Sequence, residues 1–496
     1  MVLYEINTRC WLHELTGMHG HPVTLADVPE EVFEQWGRLG ITHLWLMGVW
    51  TTGPLGRAQA LCSRGLRQAY AAALPDWREE DVVGSPYAIA DYQIPLPLGG
   101  EEGLKQFRAK LNARGIKLLL DFVPNHVGLD HRWAAQQPDL FVQDSNQAPG
   151  VFAQQTDAGV RWLAHGKDPS FGPWTDTIQL DYRRAGTRAA MIELLLSVAD
   201  RCDGVRCDMA MLVLSDVFAR SWENYPMHNG QASAGQSSPP EFWSEAIAAV
   251  KRAHPQFLFL AEAYWGMEPR LQSLGFDFTY DKALFDKLGA QDGAGVQEHL
   301  FRLAPEVLAA GAHFLENHDE PRIAAALSPS EQRPAALLIL SLPGLPFLHE
   351  GQLSGARRRL PVQLARRAAE PKEPEVERLY EQLLTTLPAT AVGRGTGRLL
   401  RPRTAWAGNP TAQNIQLVQW QASPPDFDLV AVNLAPHRSQ CYAPLVIPEL
   451  ALRPWLMKDL LGPEQYRRLG EDLQNQGLYL DLAPHAAQLF HFQPDQ

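Results

Sequence analysis

At 496 residues the chain runs roughly two to three times a usual domain length, which predicts two or three domains; 45% hydrophobic and 20% charged residues exclude a disordered chain. The formal net charge of −12 would repel a phosphate backbone and argues against nucleic acid as a partner. The opening MVLYEINTRCWLHELTG lacks a basic segment leading into a long apolar run, and no later stretch reaches about 18 uninterrupted apolar residues, so neither a secretory signal nor a membrane partner is expected.

Along the chain, short β-rich runs alternate with helical periodicity, the pattern of repeated strand–helix units around a parallel sheet. Strands are predicted at 2–8 (VLYEINT), 42–48 (THLWLMG), 116–123 (IKLLLDFV), 203–208 (DGVRCD), 257–263 (FLFLAEA), 276–280 (FDFTY), 313–317 (HFLEN) and 338–342 (LILSL). Helices are predicted in EEVFEQWGRLG, GLKQFRAKLNARG and TRAAMIELLLSVADR, before the second, third and fourth strands. Eight strands with intervening helices predict an α/β fold of the (β/α)8 TIM barrel type, whose chemistry sits in the loops after the strands.

Two intervals are too long for plain strand–helix units. The segment after the second strand ends in GSPYAIADYQ, and the one after the third is rich in Asp, Gln, Gly, Pro and Trp with weak periodicity, so a small inserted domain is expected at 127–178. The barrel then comprises 1–126 and 179–393. From 394 to 496 the texture changes to short β-like runs (NIQLVQWQ, FDLVAVNLAP, LYLDLAPHAAQLFHF) between turn residues, which predicts a C-terminal antiparallel β-sandwich domain. The five cysteines, Cys10, Cys62, Cys202, Cys207 and Cys441, are odd in number and show no CxxC spacing, so a reduced, cytoplasmic setting is expected.

In DGVRCD the side chains alternate, so Gly204, Arg206 and Asp208 share one face and Val205 and Cys207 the other. Such a pair is either a structural ion pair or part of a site. Other strand ends bear on the choice: FLFLAEAYW ends on Glu262, HFLENHDE carries Asn317, His318 and Asp319, and LLLDFVPNH adds Asp121, Asn125 and His126. In a barrel these ends converge on one cavity. Converging carboxylates suit glycoside chemistry, which needs one ionised carboxylate and one proton donor. An arginine beside Asp208 favours its ionised form, whereas Glu262, after Leu258 and Leu260, is expected to be pushed toward its protonated form.

The four segments DFVPNH, GVRCDMAM, EAYW and FLENHDE resemble, in order and spacing, the four signature regions of the α-amylase family of glycoside hydrolases (GH13-type), and GSPYAIADY resembles its aromatic segment after the second strand. The resemblance covers residues 1 to about 393. It implies retaining hydrolysis of α-glucosidic bonds in α-glucans, malto-oligosaccharides or small α-glucosides. By the same resemblance Asp208 is the nucleophile, Glu262 the acid and base, and Asp319 the group that holds the distorted sugar ring. Arg206 orients Asp208, His126 and His318 hydrogen-bond the sugar, Tyr87 stacks beneath it, and Asn125 matches a residue that often supports a structural calcium; no other cofactor is implied. Transfer to a sugar or to phosphate would use the same acids, and a non-catalytic carbohydrate-binding barrel is the rival from another class.

Departures are equally specific. Met211 and Leu212 stand where many members carry a Lys–His pair for leaving-side sugars. Arg322 resembles the arginine with which exo-acting members clamp the non-reducing end, but the aspartate that shares this task is replaced by Gly84, and Arg322 can instead pair with Glu316 or Glu320. Arg357, Arg358 and Arg359 follow the last strand, where barrels often hold phosphate; a solvated basic loop is the simpler reading. HEGQL lacks the second histidine of a zinc motif, and GRGTGR lacks the closing GK[ST] of a phosphate loop. Trp50, Trp174 and Trp265 are either sugar platforms or core.

Overall fold

The computed structural model describes residues 1–144, 148–225 and 240–495. Part of the expected inserted domain (145–147) and a stretch after the fourth barrel strand (226–239) lie outside the described residues.

Eight parallel strands close into a barrel: β1 Leu3–Asn7, β2 His43–Met47, β3 Lys117–Phe122, β4 Gly204–Cys207, β5 Leu258–Ala261, β6 Phe278–Tyr280, β7 Gly311–Phe314 and β8 Leu345–His349. Each pairs with its sequence neighbours, and β8 closes on β1 with His349 opposite Glu5. The helices follow from the apolar spacing. In Gly100–Asn112 the buried Leu104, Phe107 and Leu111 fall on one face, against the sheet, with charged residues outside.

Alternation along each strand separates two cores. Leu3, Trp45, Leu119, Leu258, Leu260, Phe314 and Phe347 fill the barrel interior, while Ile6, Leu44, Leu118, Val205, Cys207 and Phe259 face the helices. Gly204 lies in the interior set. A Cβ there would stand 2.7 Å from the Leu258 carbonyl oxygen and 3.2 Å from Leu119, so no larger residue fits beneath Arg206.

The eighth strand differs from the sequence expectation. LILSL (338–342) forms the last turn and C-cap of the helix Pro329–Ser341, and the strand is LPFLH, residues 345–349. The helix is buried nearly all round, packing also against the C-terminal domain, where the Trp420 indole N–H donates to the Ser341 carbonyl at 2.7 Å. Its apolar run therefore shows no 3.6-residue period, while Pro346 masks the true strand. The Ser328–Glu331 capping box and Pro329 at the first turn are the start signal that marks it as helical.

After β3, His126–Gly128 pairs antiparallel with Thr177–Gln179, closing off a segment with its own three-stranded sheet built on the hairpin Val151–Thr156 and Gly159–Ala164. From Thr396 onward a six-stranded and a three-stranded antiparallel sheet enclose a separate core containing Trp455, Phe427 and Phe492. Among the described residues no helix is long and apolar enough to cross a membrane.

Candidate active site

The loops after strands β2 to β8 surround a cleft of about 840 Å³ at the C-terminal end of the barrel. On its floor Arg206, fully buried, points inward from β4 and lies 5.2 Å above the rings of both Trp45 and Tyr87. One terminal nitrogen donates to Asp208 at 2.8 Å; the other lies 3.1 Å from Glu262 and 3.9 Å from Asp319. One guanidinium thus gathers all three acids expected from the sequence. Asp208 and Glu262, at the ends of the paired strands β4 and β5, face that one guanidinium.

The electrostatics of the pair differ from the sequence expectation. Glu262 is not walled by apolar groups. Its oxygens accept from the Met209 N–H at 2.6 Å and the Tyr264 hydroxyl at 2.8 Å, besides facing Arg206. Burial, followed by the charge of Glu262, raises Asp208 up to about 8 against the opposing effect of Arg206. The two acids thus share one low-dielectric site around Arg206, and close approach disfavours both being ionised at once. Leu258 and Leu260 lie deeper in the interior than the carboxyl group, and for that reason strand alternation misjudged its surroundings.

Asp319 lines the cleft with 39% of its side chain exposed. Although enclosure acts to raise it, His318, then Arg206 and Arg359, hold this carboxyl well below the usual range. His318 does not reach the cleft with a free nitrogen. Its Nδ1 meets Glu5 at 2.5 Å, and its Nε2 lies 2.9 Å from Asp319 and 2.7 Å from the Tyr87 hydroxyl. Despite burial, which acts to lower it, Asp319 and Glu5 keep this imidazole protonated up to about 10. In this arrangement both ring nitrogens of His318 are engaged by protein groups, and the ring grips Asp319.

Tyr87, from the loop after β2, stacks on His318 with ring centres 5.4 Å apart and faces the cleft. His126 also lines the cleft, its ring against Trp174 at 5.1 Å; burial lowers it to about 4, so it is neutral. Asp121 at the end of β3 accepts from the Trp45 indole at 3.1 Å and the Gly48 N–H at 2.8 Å, and burial raises it to about 6.

Arg322 is not brought to the cleft. It is buried, donating to Glu316 at 2.6 Å and to the Glu350 carbonyl at 2.6 Å, with His349 at 2.8 Å. The sequence alternative of an ion pair with Glu316 is what forms, because the chain turns back after Asp319 and directs Arg322 beneath β8. Gly84, at φ +88°, would place a Cβ 3.1 Å from the Arg57 backbone nitrogen, so the turn itself excludes an acid there.

The residues around Asn125 do not fit calcium. Its amide oxygen accepts from Gln179 at 3.0 Å and its amide nitrogen donates back at 3.2 Å, with the neutral His126 alongside. A hard cation needs several free oxygen ligands, and no group of three His, Cys, Asp or Glu side chains among the described residues is placed to hold a metal.

Met211 and Leu212 are buried in the outer core rather than facing a leaving group. That side of the cleft presents Met209, Tyr264 and Trp265 instead. Trp265 is 47% exposed and holds a left-handed backbone at φ 62°, a strained state for a non-glycine residue, while Phe171 from the inserted segment is 74% exposed across the same cleft. Trp50 belongs to the core, its indole N–H donating to the Asp121 carbonyl at 2.7 Å. Arg357 and Arg358 are exposed, and their backbone N–H groups are taken by Glu370. Sequence reasoning passed over Glu5, whose signal is an acid on the inward face of an apolar strand, and Tyr264, two residues beyond Glu262.

Fold and site together define a (β/α)8 barrel with three carboxyl groups gathered at the C-terminal ends of its strands. A family model described as alpha amylase, catalytic domain, matches residues 38–373, and the chain belongs to that family. It is 25% identical over 284 residues to the alpha-amylase MalA of Haloarcula japonica, covering 55% of this chain and 37% of that protein. It is 24% identical over 325 residues to Maltase 1 of Drosophila virilis, covering 54% of this chain and 49% of that protein. The chain thus matches less than half the length of either. A noncanonic maltogenic alpha-amylase AmyB from Thermotoga neapolitana shares the fold, with a TM-score of 0.69, 19% identity, and coverage of 99% of this chain and 98% of that one.

Proposed function

We propose that the protein cleaves α-glucosidic bonds of malto-oligosaccharides, α-glucans or small α-glucosides with retention at the anomeric carbon. The observation that carries this reading is the placement of Asp208 and Glu262 on the two terminal nitrogens of buried Arg206, with Asp319 beside them at an open cleft. In the first step Asp208 attacks the anomeric carbon as the bond to the leaving oxygen breaks, and Glu262 delivers its proton to that oxygen. In the second, water attacks the anomeric carbon, the ester to Asp208 breaks, and Glu262 takes the proton of the water. The first step requires the proton of the pair on Glu262 and the charge on Asp208, the arrangement that Arg206 beside Asp208 favours. Asp319 accepts hydrogen bonds from the ring hydroxyls, and Tyr87 and His126 bound the same sugar.

On the leaving-group side, the exposed faces of Trp265 and Phe171 suit the apolar C–H faces of a further sugar unit. Of the basic run Arg357–Arg359, Arg357 and Arg358 are exposed with their backbone N–H groups on Glu370, while Arg359 acts on Asp319, so phosphate as the acceptor stays the alternative that the phosphate arm of the test decides. A reduced setting fits the cysteines: Cys10, Cys202, Cys207 and Cys441 are buried and free, and Cys62 is exposed and free.

The test is to incubate the protein with maltose, malto-oligosaccharides, trehalose, sucrose and isomaltose, with and without phosphate, and to follow products and anomers by NMR. Release of the α-anomer from an α-1,4-linked substrate, absent in Asp208→Asn, is expected. The β-anomer as first product, or unchanged turnover in Asp208→Asn, refutes the reading; products lengthened rather than shortened would assign transfer instead.

A further inference from the structure

We propose that Glu5 is a positioning residue that acts through His318, holding the imidazolium that aims and ionises Asp319. This inference rests on the glycosidase reading of the cleft and adds to it a residue that no sugar touches. Glu5 sits at the third position of β1 on the inward face, level with Trp45 of β2 and His349 of β8, and is fully buried. Its Oε1 meets His318 Nδ1 at 2.5 Å, and its Oε2 is buried with no hydrogen-bond partner. Leaving a carboxylate oxygen unsatisfied in a protein interior is costly. A formal charge opposite, on His318, offsets that cost.

The far side of the ring shows what the charge does. His318 Nε2 lies 2.9 Å from Asp319 Oδ2 and 2.7 Å from the Tyr87 hydroxyl. With Nε2 protonated, one N–H is shared between two acceptors. With Nε2 bare, its lone pair would face an ionised carboxylate oxygen at 2.9 Å, which is repulsive, and Asp319 would swing away or take up a proton. The remaining groups facing the ring divide by sign. Asp121 from β3 acts with Glu5 and Asp319 to favour the imidazolium; Arg206 from β4, 3.9 Å from Asp319, brings a like charge near the ring; Trp45 meets the ring edge-on, and His349 on β8 is neutral, its burial setting it well below its ordinary value. Glu5 and Asp121 are both buried away from the cleft, but of the two Glu5 is the one in direct contact with the ring, so its effect is the same before and after a sugar binds.

The experiment uses the full chain labelled with 15N-histidine, in wild-type form and as Glu5→Gln, which keeps shape and removes charge. In the wild type the His318 ring signals are expected to stay those of the imidazolium through about pH 8. In Glu5→Gln they should convert to the neutral ring at about pH 7 or below. With 4-nitrophenyl α-maltoside as substrate, kcat should fall about ten- to hundredfold near pH 8 and recover toward the acid side, with KM changed far less. A purely structural role would lower stability without moving the pH profile. The proposal is overturned by identical His318 titrations and pH profiles in the two proteins, or by a wild-type His318 that loses its proton below about pH 7. The wild-type titration decides the matter even if Glu5→Gln does not fold. A wild type that turns over no α-glucoside refutes the function proposed above, while the ring titration still reports on the coupling between Glu5 and His318.

Discussion

Arg206 donates to Asp208 across 2.8 Å from the same strand end, and the pair is buried on the floor of the cleft with Glu262 at 3.1 Å from the second nitrogen. Removing the guanidinium leaves two carboxyl groups without their shared cation. Arg206→Met is therefore expected to lose about 3–5 kcal/mol of unfolding free energy, measured by urea denaturation at neutral pH. Arg206→Lys should recover only part of this, since one ammonium cannot fork to two carboxylates. Stability equal to wild type in Arg206→Met would show that the pair contributes nothing to the fold.

Glu262 and Asp208 are distinguishable by leaving group. Glu262→Gln is expected to lose about 10²–10⁴ in kcat on malto-oligosaccharides, whose leaving oxygen needs a proton, and far less in the glycosylation of a glycosyl fluoride, whose leaving group needs none. Asp208→Asn should be inactive on both. Equal losses on both substrates in Glu262→Gln would remove its assignment as proton donor.

The raised carboxyl of Asp208 gives a signed pH dependence. Between the ordinary value near 4 and about 8 the folded protein holds a proton that the unfolded chain has released, so this group makes stability fall as pH rises through that window. Asp208→Asn is expected to flatten that part of the profile in thermal unfolding followed across pH. If loss of a proton from the Asp208–Glu262 pair also disables the reaction, kcat/KM is expected to decline above about pH 8. A wild-type stability that rises steadily from pH 5 to 8, with the same slope in Asp208→Asn, would contradict both statements.

Arg322 is expected to act on stability and not on recognition of a sugar end. Arg322→Met, leaving Glu316 buried alone, should cost about 3–5 kcal/mol, and adding Glu316→Gln should restore part of it. KM for maltose measured well below the unfolding temperature should stay near wild type. A large rise in KM with unchanged stability would return Arg322 to the cleft.

Trp265→Ala and Phe171→Ala should weaken longer substrates selectively. Loss of one stacking face is worth about 0.5–1.5 kcal/mol, or up to about tenfold in KM for maltotetraose, with little change for a nitrophenyl glucoside. Equal effects on both substrates would place these rings outside the leaving-group side.

The spacing of acids and arginine on strand ends made the barrel and its three carboxyl groups readable from the chain alone, because strand alternation assigns each side chain to a face without reference to anything distant. Seven strands were legible for the same reason. The eighth was not: an all-buried helix has no period, and a proline disguised the strand beside it. Local pattern also determined that Arg206 and Asp208 share a face, which is why their pairing could be expected.

Only the closed barrel decided what each charge meets. Glu5 and His318, 313 residues apart in sequence, meet because β8 closes on β1; Arg322 turns to Glu316 and away from the cleft; and Glu262 finds a backbone N–H and a tyrosine hydroxyl where its own strand promised leucines. A residue's type and face are set by its neighbours in sequence, but its protonation and its partners are set by groups that only tertiary contact brings within a few ångströms.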